Sequence, residues 1–314
     1  MTDQHCEPRP PVTMSIMGGL GNQLFQFAAG LEVAKRQQTE LVLDLSWFQQ
    51  SWRRKGAGLE LRPYELGAIA AGVAHRRGPS ATWSQALQHA QAVALRRLPR
   101  FQNGPLAKFV YESDATFDPR VLDAPRGAWL SGYFASWRYF PTVADEVRHR
   151  FWDSVRHSEW ATSVGGEVQS QGALGVHVRR GDYLRLKSTY GHVAPVYYQR
   201  AVHILRELGA HGPIWLFSDE PEEAAEWLAS RLKVDRVVKP PAESSPAESM
   251  AALSATTALV VANSTFSWWA GFLNDAPSRY VLAPRPVWAD VRSREPRDAL
   301  LPTWLTVDCR DLNG

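Results

Sequence analysis

The sequence predicts an α/β protein of two domains, built on parallel sheets with helices on their faces. Three observations carry this. Beyond residue 172, short apolar runs alternate with segments whose apolar residues recur at helical spacing. Near the N-terminus a strand, a glycine turn, a helix and a second strand follow one another between Val12 and Leu45. In the second half the main apolar runs stop at polar clusters, as expected where the strand ends of an open α/β sheet line a ligand crevice.

The length of 314 residues accommodates two domains and a large core. A net charge of +3, from 35 basic and 32 acidic residues interspersed along the chain, is too small to argue for nucleic acid. Thirteen Trp suit sugar-stacking surfaces and large cores alike, and so decide nothing. The cysteines, Cys6 and Cys309, supply neither a disulfide framework nor a cysteine metal site, which points to a reducing compartment. Met1–Pro11 lacks a basic-then-apolar leader, and no apolar run reaches the ~18 residues of a membrane span. The expectation is a cytoplasmic protein with no transmembrane segment, at most peripheral to the inner face of the cell membrane.

In chain order, Val12–Met17 reads as a strand broken by Gly18-Gly19-Leu20-Gly21-Asn22-Gln23. Leu24, Phe27, Ala28, Leu31 and Ala34 then follow a helical period to Arg36, and Glu40–Leu45 returns to a strand. Gly19, Gly21 and Asp44 invite a dinucleotide-binding reading, but Leu24 stands where the third glycine belongs. What survives is a glycine turn at a helix N-terminus, suited to an anion or hydroxyl, with amides from Asn22 and Gln23 beside it. The plainer alternative makes Asn22 a helix cap.

Trp52–Gly56 reads as a solvated loop and Thr82–Leu98 as a helix. Leu130–Phe140 is a strand running into an aromatic-rich turn, which suits a saccharide or a packed interdomain corner. Val143–Phe151 is a short helix, and polar, glycine-rich Ser163–Gly172 marks the boundary between domains 1–165 and 166–314. Strands follow near 173–178, 213–218, 236–238, 259–262 and 279–283, separated by helices near 195–208, 221–232, 247–256 and 265–274. His177, Arg179, Arg180 and Asp182 leave the first of these strands, Ser218-Asp219-Glu220 the second, and Asn263-Ser264-Thr265-Phe266-Ser267 opens the last helix. Two guanidiniums on a turn allowed by Gly181, facing a helix N-terminus capped by Ser264 or Thr265, form a cradle for a diphosphate. Trp268 and Trp269 read as core.

Gly18–Phe27, Gly132–Phe140, His177–Tyr183, Phe217–Glu220 and Asn263–Gly271 together resemble the ordered motif set of the family 11 glycosyltransferases, the α-1,2-fucosyltransferases. The likeness runs from about residue 14 to the C-terminus, through Ala283–Trp288 and Leu301–Trp304. The resemblance implies two Rossmann-like domains facing a cleft (the GT-B arrangement). It implies GDP-β-L-fucose as donor, inversion at the fucose anomeric carbon, and a galactose-terminated oligosaccharide or glycolipid of O-antigen type as acceptor. Arg179 would hold the pyrophosphate, Ser264, Thr265 and Phe266 would donate to the phosphates, and Asn22 would close over the donor from the first domain. Gln23, Arg180, Asp219, Asn263 and Ser267 complete the expected donor set. Where many members carry an Asp, this chain reads Ser249, with Glu248 beside it as the candidate substitute.

Transfer needs a stabilised leaving GDP, a placed acceptor hydroxyl and a route for its proton. Asp182 and His177 are both candidate bases; equally, Asp182 would orient an Arg by an ion pair and His177 would bind ribose or base. No Asp-x-Asp occurs, so the expectation is a site with no metal and no cofactor beyond the co-substrate GDP-fucose. The competing readings are a catalytically silent nucleotide- or glycan-binding protein of the same fold, and a nicotinamide-dependent oxidoreductase.

Overall fold

A computed structural model describes residues 9–49, 62–77, 108–112, 116–181, 193–274, 276, 279–287 and 298–310. Trp52–Gly56, Thr82–Leu98, Cys6, Asp182 and Trp288 lie outside the described residues. The chain divides into two compact units, Met1–Val147 and Arg148–Gly314.

The first unit carries β1 (Val12–Ser15), α1 (Leu20–Gln37), β2 (Leu41–Asp44), β3 (Ala74–Arg76), β4 (Phe109–Tyr111) and β5 (Trp129–Ser131). Its sheet runs β3-β2-β1-β5-β4 with every pairing parallel. The glycine turn needs Gly18, whose φ of +79° is a conformation that side chains rarely adopt. Helix α1 starts at Leu20, earlier than the apolar spacing predicts, with Gly19 at the cap position and no side-chain cap. Asn22 therefore lies inside the first turn, its N–H donating to the Gly19 carbonyl at 3.0 Å, and does not cap the helix. Leu24, Phe27, Ala28 and Val33 bury the apolar stripe. Lys35 and Arg36 sit in the last turn, where the helix dipole favours cations.

Two helices follow, α2 (Ala144–Val155) and α3 (Glu159–Ser170). The glycine-rich stretch read from composition as a domain boundary is thus largely helical. Ser158 accepts the Ala161 N–H as a cap, and Ala161, Val164 and Val168 recur at three- and four-residue spacing to form a buried stripe. Gly165 and Gly166 fall between these anchors and do not break the helix.

The second unit contains β6 (Leu174–Val178), α4 (Pro195–Glu207), β7 (Ile214–Ser218), α5 (Pro221–Leu228) and β8 (Arg236–Val237). They are followed by α6 (Pro246–Ser254), β9 (Ala258–Val260), α7 (Thr265–Leu273), β10 (Tyr280–Arg285) and β11 (Leu305–Asp308). The sheet runs β11-β10-β9-β6-β7-β8, all parallel. In order of appearance this is 3-2-1-4-5-6 read from β8, the doubly wound arrangement. Alternation after residue 172 is thereby explained: each parallel step requires a crossover, and helices provide it. Strand β11 was not expected, because Leu305-Thr306-Val307-Asp308 is short and pairs only with β10 at the sheet edge. Strand β6 is buried along its whole length. Trp268 and Trp269 are buried as expected, and Trp268 lies 5.5 Å from the Trp304 ring. Among the described residues no helix is long and apolar enough to cross a membrane.

Candidate functional site

The register of the second sheet brings three segments level. Val178 pairs with Ser218, so one residue further on Asp219 stands beside Arg179. Val176 pairs with Val260, and carrying that register three residues on sets Asn263 beside Arg179 from the other side. The break in strand order falls between β6 and β9, where open α/β sheets part to admit a ligand.

Asp219 organises the two arginines. Its Oδ2 lies 3.3 Å from Arg179 Nη1, and its Oδ1 accepts the Arg180 backbone N–H at 3.0 Å. Arg180 Nε lies 3.7 Å from Glu220 Oε2, and its guanidinium rests 5.2 Å from the centre of the Trp227 ring. Arg180 is therefore held sideways against Glu220 and Trp227, whereas Arg179 stays beside the Asp219 carboxylate. Gly181 matters for space: a Cβ there would stand 2.7 Å from Asp219 Oδ2. The sequence offered Gly181 as the maker of a permissive turn; in the structure a side chain there would also have to displace the end of the Asp219 carboxylate.

His177 belongs to β6 itself and is buried, stacked on Phe266 at 5.4 Å between ring centres. Burial pushes its imidazole down to about 4; nearby Asp219 works in the opposite sense and Arg179 adds to the depression. Its Nδ1 is buried without a hydrogen-bond partner. The ring is neutral at physiological pH.

Helix α7 opens at the adjoining strand end. Of the two capping candidates, Ser264 acts as the cap, its Oγ accepting the Phe266 N–H at 3.3 Å. Thr265 and Phe266 are half-buried, while Asn263 and Ser264 are nearly buried. Ser267 differs from the others: fully buried, its hydroxyl lies 3.3 Å from the Ala262 carbonyl and 3.2 Å from that of Ser264. It ties the turn together from inside and presents nothing outward. One sheet edge thus collects His177, Arg179, Arg180, Asp219, Asn263, Ser264, Thr265 and Phe266.

Gln23 and Asn22 belong to the first unit, and Glu248 to α6. Gln23 is fully buried, donating to the carbonyls of Gly18 at 2.8 Å and Pro63 at 2.9 Å and accepting the Glu65 N–H at 2.8 Å. With its amide fully engaged, Gln23 holds the 62–65 segment to α1 and has no donor left for a ligand. Asn22 belongs to the first unit and is half-buried beside Gly18. Glu248 closes a capping box on α6: its Oε2 accepts the Ser245 N–H at 2.6 Å and Ser245 Oγ accepts the Glu248 N–H at 3.3 Å. Hydrogen bonding to the Ser158 hydroxyl, then to the Ser245 backbone, lowers its pKa. The candidate substitute for the absent Asp is therefore committed to a helix end.

Sequence reasoning missed two residues of the first unit. Gln26 accepts the Met17 N–H at 2.9 Å and donates to the Gly132 carbonyl at 3.0 Å, joining the glycine turn to the turn after β5. Glu112 accepts the N–H groups of Tyr133 and Phe134 at 2.7 and 2.6 Å. Its signal was a single carboxylate directly after the apolar run Phe109–Tyr111. Among the described residues no group of three potential metal ligands comes together.

Comparison with known proteins adds to this geometry. Residues 108–308 match the family model described as Glycosyl transferase family 11. An Escherichia coli protein named O-antigen biosynthesis glycosyltransferase WbnK is 27% identical over 294 residues, covering 87% of this chain and 94% of that one. The Sus scrofa galactoside alpha-(1,2)-fucosyltransferase 1 is 26% identical over 197 residues, 57% of this chain and 52% of its own length. Among solved structures, NodZ alpha-1,6-fucosyltransferase soaked with GDP-fucose aligns with a TM-score of 0.47 at 17% identity, covering 85% of this chain and 93% of that one.

Proposed function

The chain belongs to glycosyltransferase family 11, and we propose that it transfers L-fucose from GDP-β-L-fucose to the 2-hydroxyl of a terminal galactoside, with inversion at the anomeric carbon. The observation that carries this is the pairing of Arg179, fixed by Asp219, with the first turn of α7 on the neighbouring strand end. As the glycosidic bond to fucose breaks, negative charge gathers on the departing diphosphate. A guanidinium fork and the positive end of a helix, already in place, stabilise that charge. Both supports come from the chain, so the reading needs neither a metal nor a cofactor. The name of the pig relative supports fucose, galactoside and the 1,2 linkage; that of WbnK supports an O-antigen intermediate as the acceptor. In this reading the enzyme meets that acceptor at the inner face of the cell membrane. Family membership sets aside the nicotinamide reading.

Residues 166–314 hold the nucleotide in this scheme, and residues 1–165 meet the acceptor. Asp182 is proposed as the proton acceptor for the attacking hydroxyl. A buried imidazole held at about 4 has little affinity for that proton at neutral pH. His177 and Phe266 instead form the floor beside the diphosphate.

The test is a donor screen of GDP-fucose, GDP-mannose and UDP-sugars against lactose, run with and without EDTA. The expected product is lactose fucosylated at the galactose 2-hydroxyl, from GDP-fucose only, at a rate EDTA does not change. A different preferred donor, or GDP-fucose bound without turnover, overturns the proposal; the second outcome identifies a silent binding protein. Arg179→Lys should lower kcat by about 10²–10³, because an ammonium cannot reproduce the fork. Near-normal turnover in that variant contradicts the phosphate role.

A further inference from the structure

The donor site proposed above uses no residue of the motif Gly132–Phe140, whose aromatic residues differ in burial. Phe134, Tyr139 and Phe140 are buried. The rings of Phe134 and Tyr139 meet edge to face at 5.4 Å, and Phe117 packs on Tyr139 at 4.8 Å. Packing within the first unit thus accounts for these residues. It does not account for Tyr133, which remains 48% exposed between buried Gly132 and buried Phe134.

That exposed ring stands on an unusually constrained turn. Phe134 adopts a φ of +51°, which a bulky side chain takes up only when its surroundings impose it. A Cβ at Gly132 would stand 2.5 Å from the Glu112 Cβ. Glu112 clamps the Tyr133 and Phe134 N–H groups, Gln26 holds the Gly132 carbonyl, and the Ser136 N–H closes onto the Phe134 carbonyl at 2.8 Å. The turn leaves the carboxyl end of β5, beside β1, where the strand order of the first sheet changes direction. That is where an open parallel sheet offers a ligand site.

We propose that Tyr133 is a stacking platform for the acceptor saccharide, with Glu112 as the positioning residue that sets the ring. A galactoside is uncharged and carries a patch of C–H groups on one face, which an aromatic ring accepts without a charged partner. Tyr has two side-chain torsions, so a ring on a rigid turn loses little freedom when the sugar docks. Of the motif's aromatic rings it is the most exposed, Trp137 being half-buried. The assignment rests on the reading of the protein as a galactoside fucosyltransferase and names where the galactoside sits.

Saturation-transfer NMR on the full chain, titrated with lactose in the presence of GDP, measures acceptor binding without requiring turnover. Tyr133→Ala is expected to weaken lactose binding about tenfold, the scale of one lost aromatic contact. Affinity for GDP should be unchanged, and Tyr133→Trp should restore lactose binding. In a kinetic assay the same change should appear in KM for lactose and not in KM for GDP-fucose. Equal lactose affinity in wild type and Tyr133→Ala overturns the proposal, as does a loss shared equally by lactose and GDP. If the wild type binds no lactose, the galactoside reading fails by itself. A panel of methyl glycosides then decides Tyr133: a glycoside bound through it upholds the platform, and none bound through it rejects it.

Discussion

Asp219 shows how one carboxylate sets the chemistry of its neighbours. It pairs with Arg179, accepts the Arg180 N–H, and occupies the space that a side chain at position 181 would take. Gly181→Ala should therefore push the carboxylate aside and release Arg179. GDP affinity measured by calorimetry should fall about tenfold or more, and wild-type affinity in the variant would show that Asp219 does not position Arg179. His177 makes a second prediction at this scale. The unfolded chain takes up a proton at this residue near its ordinary value of 6.5, the folded chain only near 4. Stability should thus be fully present above pH 6.5 and decline as pH falls toward 4. Thermal melts across this range should show a steeper acid limb for wild type than for His177→Phe. Parallel curves would mean that His177 titrates equally in both states.

At the scale of the element, helix ends decide which polar residues are available. Ser264 caps α7 and Ser267 ties its first turn inward, leaving Asn263, Thr265 and Phe266 at the sheet edge. On α6 the reciprocal bonds of Ser245 and Glu248 engage a carboxylate that the sequence alone offered to the nucleoside. Ser245→Ala should cost about 1 kcal/mol, the usual value for a lost cap. The urea midpoint should drop while GDP affinity stays at the wild-type value; a fall in affinity would return Glu248 to the binding site. Buried Gln23 shows the same effect, since Gly18, Pro63 and Glu65 take up its whole amide.

At the scale of the molecule, each unit has one parallel sheet with one reversal of strand order, and each reversal gathers the residues that no core argument explains. In the second unit these are the arginines and the opening turn of α7; in the first they are the glycine turn and Tyr133. GDP at a hundred times its Kd should stabilise the protein by about 2.7 kcal/mol through mass action. Hydrogen exchange should localise the new protection to 177–181, 218–220 and 263–267. Protection spread evenly along the chain, or absent from those three segments, would place the nucleotide elsewhere.

Alternation of apolar runs with helical periods was enough to determine parallel strands, because a parallel step cannot be closed by a tight turn. Polar clusters directly after Val178, Phe217 and Ala262 were likewise readable, since a strand buried on both faces carries most of its polarity where it ends. Pairing was not readable. That Asp219 belongs to Arg179, that Glu248 belongs to Ser245, and that Tyr133 is the most exposed ring of an aromatic turn all depend on register and close approach. Those are set when strands and turns far apart in the chain pack together, and residue spacing does not encode them.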